Sequence, residues 1–422
     1  MANGKIIKTG CRGQCSLLGS RGKAPCGYRA KPCVRKYMKI LIINLMHLGD
    51  LMLMTPILPL IRKEYEGAEI DLLVDRKLKD LVSENPNIDR LLTLDKKGVD
   101  NKPLNFLRFI EQIRKMKFDL VINCHRNERA SSIAAFSGAK HIVGYSKPFF
   151  SLFFESVINN EAVAHHIGSG PFGLFGEKKY KPGWVHQVAS YTDILTKCLK
   201  VKAETSEGLF MKPHKKAIEN IEKLYKEKFD PNKKTVALNV GASWETKRWI
   251  FSYFAEVADA LIAEGFTIAF LGSDMDRGFV RETVNCMKTD KATQEKSVVT
   301  LTGKLTLAEV AAFLAKTSLF ITTDSGPMHI GVAANVPIVT MFGASPVPGF
   351  YPYTDKAALI AAKTPCHPCG EHTCPKQEEN FACMKNITAA EVLDAAHYLL
   401  EKYEGKPAEA LPPPKSFTPE FR

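Results

Sequence analysis

The chain has 422 residues, is 45% hydrophobic and carries a formal net charge of +13. Its length exceeds what one core usually organises, so two domains of ordinary size are expected. No window reaches the roughly 20 continuous apolar residues that a membrane-spanning helix needs, so the chain is not expected to cross a bilayer. Charge is uneven: residues 1–38 hold nine Lys/Arg and no Asp or Glu, leaving about +4 for the rest. Such a basic arm suits anionic lipid or nucleic acid, whereas the remaining body is ordinary for a soluble enzyme. Eleven cysteines in a chain this long do not make a dense secreted disulfide framework. The expected location is the cytoplasm, with peripheral contact at the inner membrane face as an extension of that reading.

Residues 1–37 lack hydrophobic periodicity and are predicted to be a disordered appendage, with Met38 as an alternative start. Residues 38–60 superficially resemble a signal peptide, but His47, Gly49 and Asp50 cut the apolar run, so a strand, loop and helix explain it better. From there, apolar runs at 39–45, 69–74, 90–94 and 118–124 alternate with helical stretches, the pattern of a parallel sheet buried on both faces. The region 145–186, with PFFSLFF and GSGPFGLFG, breaks the rhythm. It reads either as a long loop whose aromatics form a docking surface or as an extra helix on the first domain. Helices are expected over 185–199 and 214–228, then a linker at 230–234. Strands follow at 235–241, 266–273, 297–303, 318–324 and 337–343, and a last amphipathic helix near 388–403. The expected organisation is therefore an N-terminal Rossmann-like domain over 38–229, a C-terminal one over 230–404, and a disordered Pro-rich tail over 405–422.

The sharpest chemical segment is TTDSGPMHIGVAANVPIVTMFG, 322–343, a strand–helix–strand unit with a polar first turn. Asp324 or Ser325 can cap the helix, Pro327 suits its first positions, and the free N–H groups with the positive dipole end suit a diphosphate. A capped helix without ligand is the plain alternative. Thr323, Gly326 and Met328 complete this candidate donor loop, and His329 either donates to a phosphate or sugar or is a satisfied core histidine. A second segment, NVGASWETKRW, 239–249, puts Gly241 and Ser243 after a strand and then the cations Lys247 and Arg248. Lys247 would neutralise a departing diphosphate; otherwise this is a solvated basic turn.

In the first half, NLMHLGDLMLMTP, 44–56, joins strand to helix without a dinucleotide-binding glycine fingerprint, which argues against a dehydrogenase. Gly49 permits a tight turn. Asp50 is either a capping residue or a carboxylate that takes a proton from an attacking hydroxyl. His47, Gly49, His125 and Arg126 are the candidate acceptor-binding residues. Finally, Cys366, Cys369, Cys374 and Cys383, with His367 and His372 nearby, fit zinc tolerably but fit a loop of reduced or disulfide-bonded thiols as well. The looser spacing of Cys11, Cys15, Cys26 and Cys33 is assigned no metal.

These segments, in this order, resemble the ADP-heptose:lipopolysaccharide heptosyltransferase family, glycosyltransferase family 9, including its second-heptose branch. The resemblance covers about residues 38–400 and rests on KILIINLMHLGDLMLMTP, GASWETKRW, TTDSGPMHIGVAANVPIVTMFG and the CHPCGEHTCP loop. It implies a GT-B architecture, two facing Rossmann-like doubly wound domains with a cleft between them. The first would hold a lipopolysaccharide inner-core acceptor and the second ADP-heptose. It implies inverting transfer without metal or other cofactor, Asp50 as catalytic base, Lys247 at the diphosphate, and Asp324, Ser325, Gly326 and His329 in the donor loop. Alternative readings are a family member with another nucleotide sugar or acceptor, a sugar-nucleotide epimerase of GT-B fold, or a non-catalytic nucleotide-sugar-binding or lipid-binding protein. Nucleic-acid binding is disfavoured, because the charge is confined to a tail without an interleaved aromatic platform.

Overall fold

The computed structural model describes residues 38–160, 165–167, 179–181, 185–203, 207–376, 378 and 380–422. The basic arm and its cysteines therefore lie outside the described residues, as does much of 161–184. Strands β1 (Lys39–Asn44), β2 (Glu69–Asp75), β3 (Arg90–Leu94), β4 (Leu120–Asn123), β5 (His141–Gly144) and β6 (Ser156–Val157) form one parallel sheet in the order β3-β2-β1-β4-β5-β6. A short antiparallel pair, β7 (His165–Ile167) and β8 (Lys179–Lys181), follows. The second sheet is parallel throughout. It contains β9 (Thr235–Asn239), β10 (Thr267–Leu271), β11 (Val298–Thr300), β12 (Leu319–Thr323), β13 (Ile338–Phe342), β14 (Ala357–Ala361) and β15 (Glu420–Phe421), ordered β11-β10-β9-β12-β13-β14-β15. Both sheets thus step outward from a central strand and then reverse, the doubly wound pattern.

The helices are α1 (Leu48–Met54), α2 (Ile57–Glu64), α3 (Pro103–Lys115), α4 (Glu128–Phe136), α5 (Gln187–Asp193), α6 (Lys215–Lys228), α7 (Phe251–Ala263), α8 (Arg277–Cys286), α9 (Lys291–Ser297), α10 (Leu307–Ala315), α11 (Gly326–Ala333), α12 (Val347–Phe350), α13 (Ala382–Lys385) and α14 (Ala389–Lys402). The central strands are buried along their whole length, as their continuous apolar runs require. One apolar core runs from β1, α1 and α2 through α5 into α10 and α11, so the two halves share packing along the line where α1 meets α11.

One open alternative is decided in part, and two features differ from expectation. The 145–186 region contributes a 3-10 turn over Pro148–Phe153 that lies against α4 through Phe136–Phe150 and Phe136–Phe153 ring contacts, so at least this part packs on the first sheet's helical layer. Helix α6, expected inside the first domain, packs on α10, with Tyr225 and Phe229 against Phe313. Its Ala217–Ile221–Tyr225 stripe finds its apolar partner in the second half. The Pro-rich tail, expected to be disordered, is instead tied down and ends as β15. Asn335 donates to the carbonyls of Leu411 and Pro412 at 3.1 Å, the buried Lys356 ammonium contacts the Pro412 carbonyl, and Phe417 stacks on Tyr353 at 4.6 Å. Prolines offer carbonyls without needing donors, so a proline run can be held by donors reaching out from the fold.

Candidate active site

Open α/β sheets bind ligands beyond the carboxyl ends of their strands, where the strand order reverses. Here those points are β1/β4 in the first sheet and β9/β12 in the second. Asp50 follows β1, His125 follows β4, Lys247 follows β9, and Asp324 follows β12. The candidate residues from four distant segments therefore belong to the two switch points.

The two halves meet closely there. Helix α1 packs against α11, and each contributes a glycine from its first turn. A Cβ on Gly49 would come within 2.9 Å of the His329 ring, and one on Gly326 within 3.0 Å of Leu48. Glycine on both sides thus permits close approach between the halves. Gly49→Ala is expected to leave the protein folded but to push the His329 ring aside, costing about 1–3 kcal/mol by overpacking. Thermal denaturation with parallel turnover assays checks this, with transfer falling more than stability.

Asp50 stands in the first turn of α1, partly open to the cleft but densely surrounded by protein. Burial raises its carboxyl to about 6 against the opposing pull of Lys247 and nearby backbone N–H groups, and Asp324 adds a smaller push upward. Lys247 reaches across to Asp324 at 2.7 Å, and its ammonium lies 4.2 Å over the Trp244 ring. Burial alone would raise Asp324, but the Lys247 charge and hydrogen bond hold it below the usual carboxylate range. His329 is buried, pushed down to about 4 mainly by burial, and so neutral near pH 7. Its Nδ1 has no hydrogen-bond partner among the described residues. The pair of carboxylates is thereby split in character: one is poised near 6 and the other is fixed as an anion by its lysine.

At α11, Ser325 occupies the cap position but makes no capping bond. Its hydroxyl lies 3.2 Å from Thr322 Oγ1 and 3.3 Å from Asn239 Nδ2 instead. Among the described residues no side chain is shown bonded to the first amides of α11, which suits an anion there. Asn239 also donates to the Gly241 carbonyl at 3.0 Å and so ties the β9 turn to the β12 turn.

Some expected residues point elsewhere. Arg248 does not join the Lys247–Asp324 pair: its Nε donates to the Ala242 carbonyl at 3.1 Å and its guanidinium lies 4.3 Å over Phe279, because α8 offers an aromatic platform on that side. Met328 turns into the core, its sulfur accepting from Thr340 at 3.2 Å, since a helix packed on a sheet buries one face. Gly241 makes room for Asp276, whose carboxylate would collide with any Cβ, and Ser243 is exposed. Thr323 is buried and Pro327 half-buried at the start of α11. On the first half, His47 is exposed, yet the protein around its ring, with Lys96 and Lys97, lowers it from the usual histidine range. His125 is pushed down to about 3, chiefly by burial, and Arg126 is exposed.

Among the described residues, no group of three or more His, Cys, Asp or Glu side chains is placed to hold a metal ion, and Cys366, Cys369, Cys374 and Cys383 are free thiols. The zinc reading of that loop gains no support. The loop serves as a buttress: His372 stacks on Trp244 at 4.0 Å and Thr246 donates to the Glu371 carbonyl at 2.5 Å, which braces the segment carrying Lys247. Trp244 and Asn239 went unnoticed in the sequence. The available signal was an Asn closing a buried strand, repeated at Asn44 and Asn123.

Two parallel doubly wound sheets, with polar groups from both switch points converging where the halves meet, define a GT-B fold with a candidate site between its halves. The sequence model of glycosyltransferase family 9 (heptosyltransferase) matches residues 106–379, and the chain belongs to that family. Asp50 lies before the matched span. Among solved structures, a family 9 glycosyltransferase from Veillonella parvula is similar with 29% identity and a TM-score of 0.72, covering 86% of this chain and 98% of that one. The ADP-heptose lipopolysaccharide heptosyltransferase II of Escherichia coli shares the fold at 19% identity and TM-score 0.67, covering 87% of this chain and all of that one. By sequence, lipooligosaccharide heptosyltransferase 2 of Campylobacter jejuni is 29% identical over 253 residues, 60% of this chain and 75% of that protein. Lipopolysaccharide heptosyltransferase 3 of Escherichia coli is 25% identical over 362 residues, 83% and 96% respectively. The protein is therefore a glycosyltransferase. No helix among the described residues is long and apolar enough to cross a membrane.

Proposed function

We propose that this enzyme transfers a heptose from ADP-heptose to the inner core of lipopolysaccharide, with inversion at the anomeric carbon and without a metal. The names of its relatives support transfer of a heptose to lipopolysaccharide or lipooligosaccharide. The observation that carries the mechanism is the placement of Asp50, poised near 6, opposite a fixed Lys247–Asp324 pair. In this reading an acceptor hydroxyl attacks the anomeric carbon while Asp50 takes its proton. The bond to the β-phosphate oxygen breaks, and ADP leaves with the electron pair. Lys247 and the amides opening α11 supply the positive charge that the departing diphosphate needs. Neutral His329 donates a hydrogen bond to the donor. His47, His125 and Arg126 lie on the acceptor side, where Arg126 meets the acceptor's anionic groups.

Release of ADP from ADP-heptose by purified enzyme, with and without a heptose-deficient core acceptor and with a chelator present, tests this reading. Acceptor-dependent release that survives the chelator is the expected result. Release that requires an added divalent ion contradicts the metal-free mechanism, and no release despite ADP binding contradicts the donor. The base must be ionised to act, so kcat/KM is expected to fall tenfold per pH unit below about 6, as Asp50 takes up its proton. A flat profile from pH 5 to 8 would speak against Asp50 as base.

A further inference from the structure

The largest concentration of exposed apolar side chains lies far in sequence from the donor loop. Of the eleven exposed large hydrophobic residues among those described, eight fall between Val99 and Val157. They converge because α3, α4 and the 148–153 turn follow β3, β4 and β5 in a sheet that steps in one direction there. All three elements lie in one layer: α3 touches α4, and α4 touches the turn. Ile110 and Ile113 of α3 and Ala130, Ile133 and Ala134 of α4 bury the inner face of this layer against the sheet. Its outer face carries Leu104 and Leu107, 69% and 61% exposed, and Phe149 and Leu152, 71% and 86% exposed, with Phe136 and Phe153 completing the aromatic ridge. A monomer in water gains nothing from such a ridge.

Charge accompanies it. Residues 96–147 hold eleven Lys/Arg against four Asp/Glu, a net of +7, while the rest of 39–422 is net −3. Lys102, Arg108, Lys140 and Lys147 flank the apolar residues; the last two make only surface ion pairs, with Asp119 and Glu128, which contribute little. Insertable apolar side chains within a cationic field match a bilayer surface with anionic headgroups.

We propose that the outer face of α3, α4 and the Pro148–Phe153 turn docks the enzyme on an anionic lipid bilayer, with Phe149 and Leu152 entering the headgroup boundary. This rests on the reading of the acceptor as an amphiphile, whose sugar must be reached while its acyl chains stay in the membrane. The full-length protein and a Phe149→Ser/Leu152→Ser variant are to be sedimented with vesicles of phosphatidylethanolamine and phosphatidylglycerol and with vesicles of phosphatidylcholine alone. Both proteins are also to be assayed on a soluble de-acylated acceptor. The wild type is expected on the anionic vesicles only, released by high salt, with partitioning lowered at least about tenfold in the variant. Turnover of the soluble acceptor is expected to be equal. Equal vesicle binding by the two proteins would overturn the proposal, as would equal binding to neutral vesicles. A wild-type dimer that becomes monomeric in the variant without change in vesicle binding would overturn it too, by assigning the face to a second copy. Loss of vesicle binding in a variant where neither protein turns over the acceptor would uphold docking and reject only the acceptor reading.

Discussion

Asp50→Asn is expected to lower transfer by about 10³-fold while leaving ADP binding intact and making the protein more stable at pH 7. The first effect follows from removing a general base, typically worth 10²–10⁴-fold. The second follows from position, because Asp50 stands on α1 and the nucleotide's diphosphate is assigned to α11 and Lys247. The third follows from linkage. The folded carboxyl titrates near 6 and an unfolded one near 4, so the folded state binds the proton more tightly. Stability is highest below the unfolded value and falls as pH rises towards 6, after which the cost of ionising Asp50 is fully present. Partial access to solvent reduces that cost to on the order of 1–2 kcal/mol. Calorimetry at pH 7 beside single-turnover kinetics checks both halves of the prediction. A variant with near-normal turnover would remove Asp50 from the chemistry, and one with unchanged stability would remove the argument that burial tunes it.

Lys247→Met is expected to lower kcat by 10² to 10³-fold and also to destabilise the fold. Loss of a charge aimed at the leaving group accounts for about 3–4 kcal/mol of barrier. The stability loss has another origin: Asp324 is buried and would keep its charge without a counter-ion, a defect of about 3–5 kcal/mol in full burial and less here because Lys247 is partly exposed. Asp324 titrates below the usual carboxylate range, so the stability from this pair is present at neutral pH and lost as pH falls through its folded value. The two proteins should therefore differ most near pH 7 and converge in acid. Lys247→Met/Asp324→Asn separates the effects, because it removes the orphaned charge and should recover stability without recovering kcat. Recovery of kcat in the double variant would show that Lys247 serves the fold and not the diphosphate.

The sequence carried much of this arrangement, for physical reasons that also mark where it stopped. Runs such as TVALN and LFITT are buried throughout and mostly apolar because both faces of a central parallel strand are covered, and this makes them legible without any contact information. Ala357–Ala361 went unread as a strand because alanines do not distinguish strand from helix. The tail's strand was hidden behind a proline run anchored through the Pro412 carbonyl by Lys356 and Asn335, residues remote in the chain. At the site, polar turns after strands singled out Asp50, Lys247 and Asp324 as candidates, with helix capping or a solvated turn as the competing reading, and their proposed roles came from the resemblance. Side-chain direction was beyond reach. Whether Arg248 faces a ligand or Phe279 depends on α8, and whether His329 lines the cleft depends on Gly49 in the other half.

Mass spectrometry and nuclear magnetic resonance of the product test the central claim most directly. After incubation of enzyme, ADP-heptose and heptose-deficient core acceptor with a chelator, the acceptor is predicted to gain one heptosyl residue whose anomeric configuration is opposite to that of the donor. A product of retained configuration, or hydrolysis of ADP-heptose with the acceptor unchanged, would contradict direct in-line transfer assisted by Asp50.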